Sequence, residues 1–319
     1  MSEPVIGEPV VRAGFAAVIG APNAGKSTLV NRLVGSKVSI VTPKVQTTRF
    51  NVRGVVMDGP VQIVLVDTPG IFKPRRRLDR SMVRAAWSGA EDADVVAHLI
   101  DAQAEVLVAD GGAAAAERKG VEDAHAIIEQ LKVSGRKAIM VLNKIDLVKR
   151  DRLLALSQSL FESGVYSEVF MISAAKGSGV DDLKKRLAEL MPAGPWLYPE
   201  DQTADLPARL LAAEITREKL YLRVHEELPY AAAVETTSFT EAKGGAVRIE
   251  QTIYVERESQ RPIVLGKGGQ TLKWIGENAR KDLGEILGQP VHLFLLVKVK
   301  ENWSEAREFY SGLGLDFDV

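Results

Sequence analysis

Cysteine is absent from all 319 residues, which excludes a disulfide framework and thiolate chemistry and suits a reducing cytoplasm. No apolar run approaches the roughly 18 residues of a membrane-spanning helix. The N-terminus, MSEPVIGEPVVRAG, carries acidic residues where a signal peptide would need a basic start and an apolar centre. Charge of one sign is also lacking: a net charge of −1 gives no global attraction to nucleic acid or to an anionic membrane. No residue set has the spacing of a zinc site or the makings of a nucleophilic triad. What remains is 46% hydrophobic and 26% charged, the balance of a soluble globular protein, with enough length for two domains that each have a core.

The first 190 or so residues alternate short apolar runs with helical patterns, which predicts an α/β domain built on a mostly parallel sheet with helices on both faces. FAAVIG (15–20), VQIVLVD (61–67), VVAHLID (95–101), KAIMVLN (137–143) and EVFMIS (168–173) read as buried strands. RFNVRGVVMDG (49–59) reads as an edge strand, and helices are expected to start at Lys26, near Asp79, near Glu122, at Asp151 and at Asp181. The alanine-rich ADGGAAAAERKG (109–120) is expected to be a solvated connecting loop. MPAGPWLYPEDQTADLP (191–207) carries four prolines and interrupts the periodicity, so a domain boundary is placed there. The expected division is an N-terminal extension (1–13), a first domain (14–192), a linker (193–205) and a second domain (206–319).

In the second domain a helix over about 206–227 should show Leu211, Ile215 and Leu222 on one face. Strands are expected at AAAVETTSFT (231–240) and at 246–257, where Val247, Ile249, Ile253 and Val255 alternate with polar residues. A helix follows with Leu272, Ile275, Ala279, Leu283 and Ile286 at spacings of three and four. The strand PVHLFLLVKVK (290–300) and a short helix around Trp303, Ala306 and Tyr310 close the chain. The order α-β-β-α-α-β predicts a small α+β domain with helices on one face of a three-stranded sheet. Trp303, Tyr310 and His98 are expected to be packed core residues.

GAPNAGKS (20–27) fits the phosphate-loop pattern G-x-x-x-x-G-K-[ST] in full, between a strand and a helix. The backbone of Gly20, Ala21, Pro22, Asn23, Ala24 and Gly25 can point its N–H groups at phosphate, and the helix N-terminus adds its dipole. Lys26 should reach the β- and γ-phosphates, Ser27 should bind Mg2+, and Thr28 completes the phosphate set. The motif DTPG puts Asp67 at the end of its strand, facing the metal, and offers the Gly70 N–H to the γ-phosphate. These residues with Thr68, Pro69 and Ile71 form one switch segment. NKID (143–146) ends another strand. The Asp146 carboxylate can accept hydrogen bonds from N1–H and the 2-amino group of guanine. Adenine has no N1–H, so such a site can discriminate by roughly 10⁴-fold. Asn143 and Lys144 brace that loop and lie over the base, and Ser173 and Ala174 of ISA (172–174) can offer an N–H to guanine O6. Four motifs in order, each at a strand's carboxyl end, point to GTP or GDP.

TPKVQTTRF (42–50) is the other switch segment, with Gln46, Thr47, Thr48 and Arg49 at its centre. A threonine there completes the Mg2+ shell, and the residues alone do not choose between Thr47 and Thr48. The segment is similar to the TTR of translational-type GTPases, where the second threonine has the role, which selects Thr48. Ras-like enzymes place a water-orienting glutamine after the DxxG motif; here the residue is Ile71. Asn23 has two readings: its amide oxygen holds a monovalent cation, K+, beside the phosphates, or it stabilises the loop turn. KPRRR (73–77) is a solvated loop by default and an RNA contact by alternative.

IVLGKGGQTLKWIG contains a second glycine–lysine loop, Gly266-Lys267-Gly268-Gly269, followed by Gln270 instead of the Ser or Thr of a phosphate loop. G-x-x-G before an amphipathic helix is the loop of a KH domain, which clamps a single nucleic-acid strand. Lys267 and Lys273 would meet phosphates. Residues 257–281 hold six basic and two acidic residues, whereas 206–319 holds 15 basic and 17 acidic. That balance favours a narrow groove over bulk electrostatic RNA binding.

GAPNAGKSTLVNRLVG, QTTRF, DTPGI, NKID, SAAKGSGVDDL, REKLYLRVHEELPYAAAVE and IVLGKGGQTLKWIG together resemble the Era family of bacterial GTPases, over about residues 14–311. The resemblance implies a P-loop GTPase domain followed by a type II KH domain, slow GTP hydrolysis with Mg2+, and the same lack of a catalytic glutamine. It also implies a monomeric cytoplasmic protein, peripheral on the inner membrane. Such a protein binds small-subunit ribosomal RNA near its 3′ end and acts in assembly of the small ribosomal subunit. The alanine-rich stretch departs from the family pattern. A tRNA-modifying GTPase of the same branch is disfavoured by the absence of cysteine and of room for a catalytic module. The remaining alternative is an RNA-binding scaffold whose nucleotide domain scarcely hydrolyses GTP, which Ile71 keeps open.

Overall fold

The computed structural model describes residues 10–224, 228–242 and 244–319. Most of the expected N-terminal extension and the last residues expected of the helix at 206–227 lie outside them. The chain forms two compact units: one takes residues up to Ser39, Asn51–Lys73 and Ala85–Asp205, and the other takes Ile40–Phe50, Pro74–Arg84 and Leu206–Val319.

The first unit holds a seven-stranded sheet. Its strands are β1 (Arg12–Ile19), β2 (Val52–Asp58), β3 (Val61–Asp67), β4 (Val95–Asp101), β5 (Ala138–Asn143), β6 (Tyr166–Met171) and β7 (Ala204–Asp205). The order is β6-β5-β4-β1-β3-β2-β7. β1 pairs in parallel with both β3 and β4, while β2 runs antiparallel to β3. The central strands are mostly apolar because both faces are covered, and β5 is buried along its whole length. The helices are α1 (Lys26–Val34), α3 (Ala102–Ala109), α4 (Ala115–Ser134), α5 (Arg150–Phe161) and α6 (Val180–Leu190), together with the second half of α2 (Arg77–Glu91). Leu29, Val30 and Leu33 of α1 and Leu183 and Leu187 of α6 pack with Val18, Leu65, Leu99 and Val141 in one core. Burying a side chain of that size contributes about 1.5–3 kcal/mol.

Three expectations for this unit change. β2 is not an edge strand, because β7 pairs antiparallel with it at Arg53 and Gly54. The segment taken for a linker is knitted to the sheet by Gln62, a fully buried residue of β3. The Gln62 amide oxygen accepts from Leu197 N (2.8 Å) and Tyr198 N (2.9 Å), and its NH2 donates to Tyr198 O (2.8 Å). The alanine-rich stretch is not a loop through its length. It closes α3, turns over residues 110–114 and opens α4, since alanine has the highest intrinsic helix propensity.

In the second unit α7 (Ala208–Arg223) and α9 (Gln270–Leu287), with the short α8 (Arg261–Leu265) between strand and loop, accompany β8 (Ala232–Ala242), β9 (Ala246–Val255) and β10 (Val291–Val299). The sheet order is β10-β9-β8, with β9–β10 parallel and β8–β9 antiparallel across a bulge at Thr236/Ser238. This is the expected α-β-β-α-α-β arrangement. Ile215, Ala279, Leu283, Val247, Ile249 and Leu293 form one part of the core, and Leu220, Ile253, Val255, Ile275 and Val297 another. Trp303 and Tyr310 are buried, as is His98 of β4, whose Nδ1 lies 2.9 Å from the Tyr166 hydroxyl. The chain ends with α10 (Arg307–Gly312). Leu222, expected on the inner face of α7, is 43% exposed. α7 instead buries Ala212, Ile215 and Leu220 on one side and the polar pair Arg217 and Glu214 with Tyr221 on another. An apolar stripe alone could not show that second side.

Residues 40–50 lie against both sides of α7. Ile40 joins the core beside Ala212 and Ile215, and Glu218 Oε1 accepts from Val41 N at 2.9 Å. Arg217 Nε donates to Glu214 Oε1 (2.8 Å) while its Nη2 donates to the Thr47 carbonyl (2.5 Å). Arg49 is buried; its Nη2 donates to the Tyr221 hydroxyl at 2.8 Å, and its guanidinium lies 5.4 Å from the Trp303 ring centroid.

Candidate nucleotide site and the second glycine–lysine loop

Loops at the carboxyl ends of β1, β3, β5 and β6 converge where the strand order reverses at β1, the position at which open α/β sheets take ligands. Residues 20–25 leave β1 and enter α1. Gly25 has φ +102°, and a Cβ there would stand 2.3 Å from Asn143 Nδ2. Only glycine fits, because a side chain would meet the residue that joins two loops of the site. Asn143 Nδ2 donates to Ala24 O at 2.8 Å, and its Oδ1 accepts from Ala174 N at 2.9 Å. One carboxamide thus ties the phosphate loop, NKID and ISA together.

Lys26 is only 6% exposed. Its ammonium donates to Gly20 O (3.0 Å) and Ala21 O (2.9 Å), neutral acceptors that cannot balance the charge. Burial pushes its pKa down to about 8, opposed by the Asp67 carboxylate. Such a cation is made for an anion, and phosphate supplies one. Ser27 Oγ donates to Asp67 Oδ2 at 2.7 Å, and Asp67 is fully buried at the end of β3. A hydroxyl and a carboxylate side by side at the phosphate loop are hard oxygen donors that fit Mg2+, which takes few protein ligands and completes its shell with phosphate and water. Thr68 Oγ1 donates to Val18 O (2.8 Å) and Ile71 N to Gly20 O (3.1 Å), which hold the DTPGI segment against β1; Gly70 lies against Pro22. Ile71 is itself buried.

On the base side, Lys144 adopts a left-handed backbone (φ 64°) and its ammonium donates to Asp101 Oδ2 at 2.5 Å. Asp101 also caps α3 by accepting from Ala104 N (3.1 Å). Asp146 stands exposed in the turn Ile145–Leu147. Ser173 Oγ accepts from Lys176 N at 3.1 Å. Arg32, from the last turn of α1, donates to Ala174 O (3.0 Å) and Ala175 O (2.5 Å). The motif reading missed Asp101 and Arg32. Both act on a motif from another element, and neither belongs to a recognisable spacing. The structure thus brings together Gly20 to Ser27, Asp67 to Ile71, Asn143, Lys144, Asp146, Ser173 and Ala174. Thr28 follows in α1 and Asn23 is exposed, with a left-handed backbone of φ 63°.

The residues Gln46 to Arg49 belong to the second unit. The Thr47 hydroxyl is engaged, with Lys44 O at 2.7 Å and Thr42 Oγ1 at 2.6 Å, and Thr48 is buried. Gln46 Nε2 donates to Asp79 Oδ1 (2.9 Å), while Asp79 Oδ2 accepts from Arg75 N and Arg76 N (3.0 Å each). The KPRRR segment is therefore partly structured, and Arg77 also pairs with Glu305 at 3.2 Å.

The loop 266–269 is built differently. Gly266 (φ +75°) packs against Thr271, where a Cβ would stand 2.3 Å from Oγ1, whereas Gly268 (φ +61°) and Gly269 (φ +78°) face open space. Lys267 is exposed, and α9 starts directly after the loop without a side-chain cap. Lys273 is exposed one turn into α9 and lies 3.9 Å from Glu277.

Residues 15–144 match the family described as 50S ribosome-binding GTPase, and residues 227–304 match the KH domain family. The chain is 68% identical over 308 residues to the GTPase Era of Caulobacter vibrioides strain NA1000/CB15N, covering 97% of this chain and 98% of that one. It is 63% identical to the GTPase Era of Maricaulis maris, with the same coverage. Among solved structures, Era in complex with MgGDPNP and nucleotides 1506–1542 of 16S ribosomal RNA superposes with a TM-score of 0.85 at 38% identity, covering 95% of this chain and 99% of that one. A variant of Aquifex aeolicus Era bound to GDP·AlF4− gives the same values.

Proposed function

The chain belongs to the Era family of GTPases, and from that premise we propose a nucleotide-controlled RNA switch that acts in assembly of the small ribosomal subunit. It hydrolyses GTP to GDP and phosphate. The α-β-β-α-α-β unit would bind small-subunit ribosomal RNA near its 3′ end, a reading supported by the superposable Era structure that holds nucleotides 1506–1542 of 16S ribosomal RNA. The observation that supports the switch is the placement of residues 40–50, which a GTPase uses to sense γ-phosphate, on α7 of the RNA-binding unit through Arg217, Glu218 and Arg49.

At the nucleotide, Lys26 and the amides of residues 20–27 would neutralise and orient the phosphates, and Asp146 would select guanine. Ser27 and Asp67 would hold Mg2+, which supplies charge neutralisation at the β- and γ-phosphates. Ile71 is buried and carries no hydrogen-bonding side chain, so it cannot orient the attacking water. Asn23, exposed in the loop, would hold K+ beside the phosphates in place of a fixed cation, and hydrolysis should then be faster in K+ than in Na+. No helix among the described residues is long and apolar enough to cross a membrane, so association with the inner membrane would be peripheral. The protein would act as a monomer.

The test is RNA affinity in two nucleotide states, with an oligonucleotide from the 3′ end of small-subunit ribosomal RNA titrated under a non-hydrolysable GTP analogue and under GDP. Tighter binding with the analogue, lost in Gly268→Asp, is expected. Arg217→Ala should shrink the difference between states. Equal affinity in both states would remove the switch, and no binding in either would remove the RNA assignment.

A further inference from the structure

The base-recognition loop 173–177 is held from outside by an arginine to which no motif assigns a role. Arg32 sits about one and a half turns after Lys26 and Ser27 on α1, and its guanidinium bonds two consecutive carbonyls, Ala174 O and Ala175 O. It also lies under Gly177, where a Cβ would stand 3.2 Å from Nη1 and where φ is +91°. Asn143 Oδ1 also holds the loop, at Ala174 N (2.9 Å), and the rest closes on itself: Gly177 N donates to Ser173 O (2.7 Å), Ser173 N to Ser178 O (2.9 Å) and Lys176 N to Ser173 Oγ (3.1 Å).

The consequence follows from peptide planarity. In a trans peptide the carbonyl and the next N–H point in opposite directions. Fixing Ala174 O on Arg32 therefore aims the Ala175 N–H away from α1. The two neighbouring amides are already engaged, Ala174 N with Asn143 Oδ1 and Lys176 N with Ser173 Oγ. Among the described residues the Ala175 N–H donates to no acceptor.

We infer that Arg32 is a positioning residue for guanine specificity, orienting the Ala174–Ala175 peptide so that its N–H meets guanine O6. This rests on the nucleotide reading above and deepens it: α1 binds phosphate at its first turn and sets base selection from its last. An arginine in the last turn of a helix also offsets the helix dipole, which would affect stability without regard to the base.

The experiment separates these roles by binding GDP, 6-thio-GDP and IDP to the wild-type protein, Arg32→Ala and Arg32→Lys. Sulfur at position 6 is a weak acceptor, whereas IDP keeps O6 and lacks only the 2-amino group expected to meet Asp146. Wild type should prefer GDP to 6-thio-GDP by roughly tenfold, the worth of one well-formed hydrogen bond. In Arg32→Ala that ratio should fall to about two or less, with the GDP to IDP ratio unchanged, and Arg32→Lys should recover part of it. Equal weakening of all three nucleotides, or a loss of thermal stability with both ratios intact, would overturn the inference. Should Arg32→Ala not fold, the same ratios read on Arg32→Lys decide the matter. Failure of the wild type to bind GDP would instead overturn the nucleotide reading itself.

Discussion

The chain has two glycine–lysine loops, each leading into a helix, and they are built to opposite ends. In residues 20–27 the loop is enclosed: Gly25 is pressed against Asn143, and Lys26 is 6% exposed with its pKa pushed down to about 8. In residues 266–269 the last two glycines face open space and Lys267 is in water. An enclosed loop suits a small ligand that must be surrounded and discriminated. An open one suits a polymer that enters and leaves along its length. The glycines serve different ends as well: Gly25 makes room for protein, and Gly268 and Gly269 keep room for something else.

The largest expected effect that would break this contrast is at the glycines. Gly25→Ala must displace Asn143 and with it the bonds to Ala24 O and Ala174 N. A loss of about 3–5 kcal/mol in urea unfolding and loss of GDP binding should follow. Gly268→Ala meets no neighbour, so only the left-handed backbone cost of about 1–2 kcal/mol applies. GDP affinity should hold while RNA affinity falls. Similar losses of stability at both positions would remove the distinction.

The lysines come next. Lys26→Met should lower GDP affinity by roughly a hundredfold, the scale of losing charge-assisted bonds to phosphate, while leaving nucleotide-free stability unchanged or raised, because an unbalanced buried charge is removed. Lys267→Ala should weaken RNA binding less than about tenfold, uniformly across sequences, and reduce the salt slope by about 1. A sequence-dependent effect of Lys267→Ala would mean that it reads bases.

The smallest effect is in protons. A bound phosphate raises the Lys26 pKa from about 8, so GDP binding near pH 8 should take up about half a proton. Calorimetry in buffers of different ionisation enthalpy would read it. Affinity should be level below this pH and decline above it, as the free protein loses the charge it must regain on binding. No uptake near pH 8 would mean that burial does not lower the Lys26 pKa in the nucleotide-free protein.

The nucleotide site was legible because each of its motifs is local. A strand end followed by glycine, lysine or aspartate is both the signal and the structure, and the parallel sheet brings such ends together at one edge. The expectation of a loop at 109–120 failed because an alanine-rich stretch between two elements reads as a connection, whereas the helix propensity of alanine lets it close one helix and open the next. Leu222 failed because α7 packs a second, polar side that carries no apolar period. Arg32 and Asp101 were missed for a related reason: each supports a loop more than 40 residues away and leaves no spacing to recognise.

By itself the sequence determined the two domain types, the order of their elements, the guanine-nucleotide motifs and the nature of the second loop, since periodicity and short motifs are properties of neighbouring residues. Tertiary structure alone decided which lysine is buried, that Gln62 stitches residues 197–198 to the first sheet, and that residues 40–50 lie on α7. Burial and long-range hydrogen bonds depend on what the rest of the chain places around a residue, and no local pattern of residues records that.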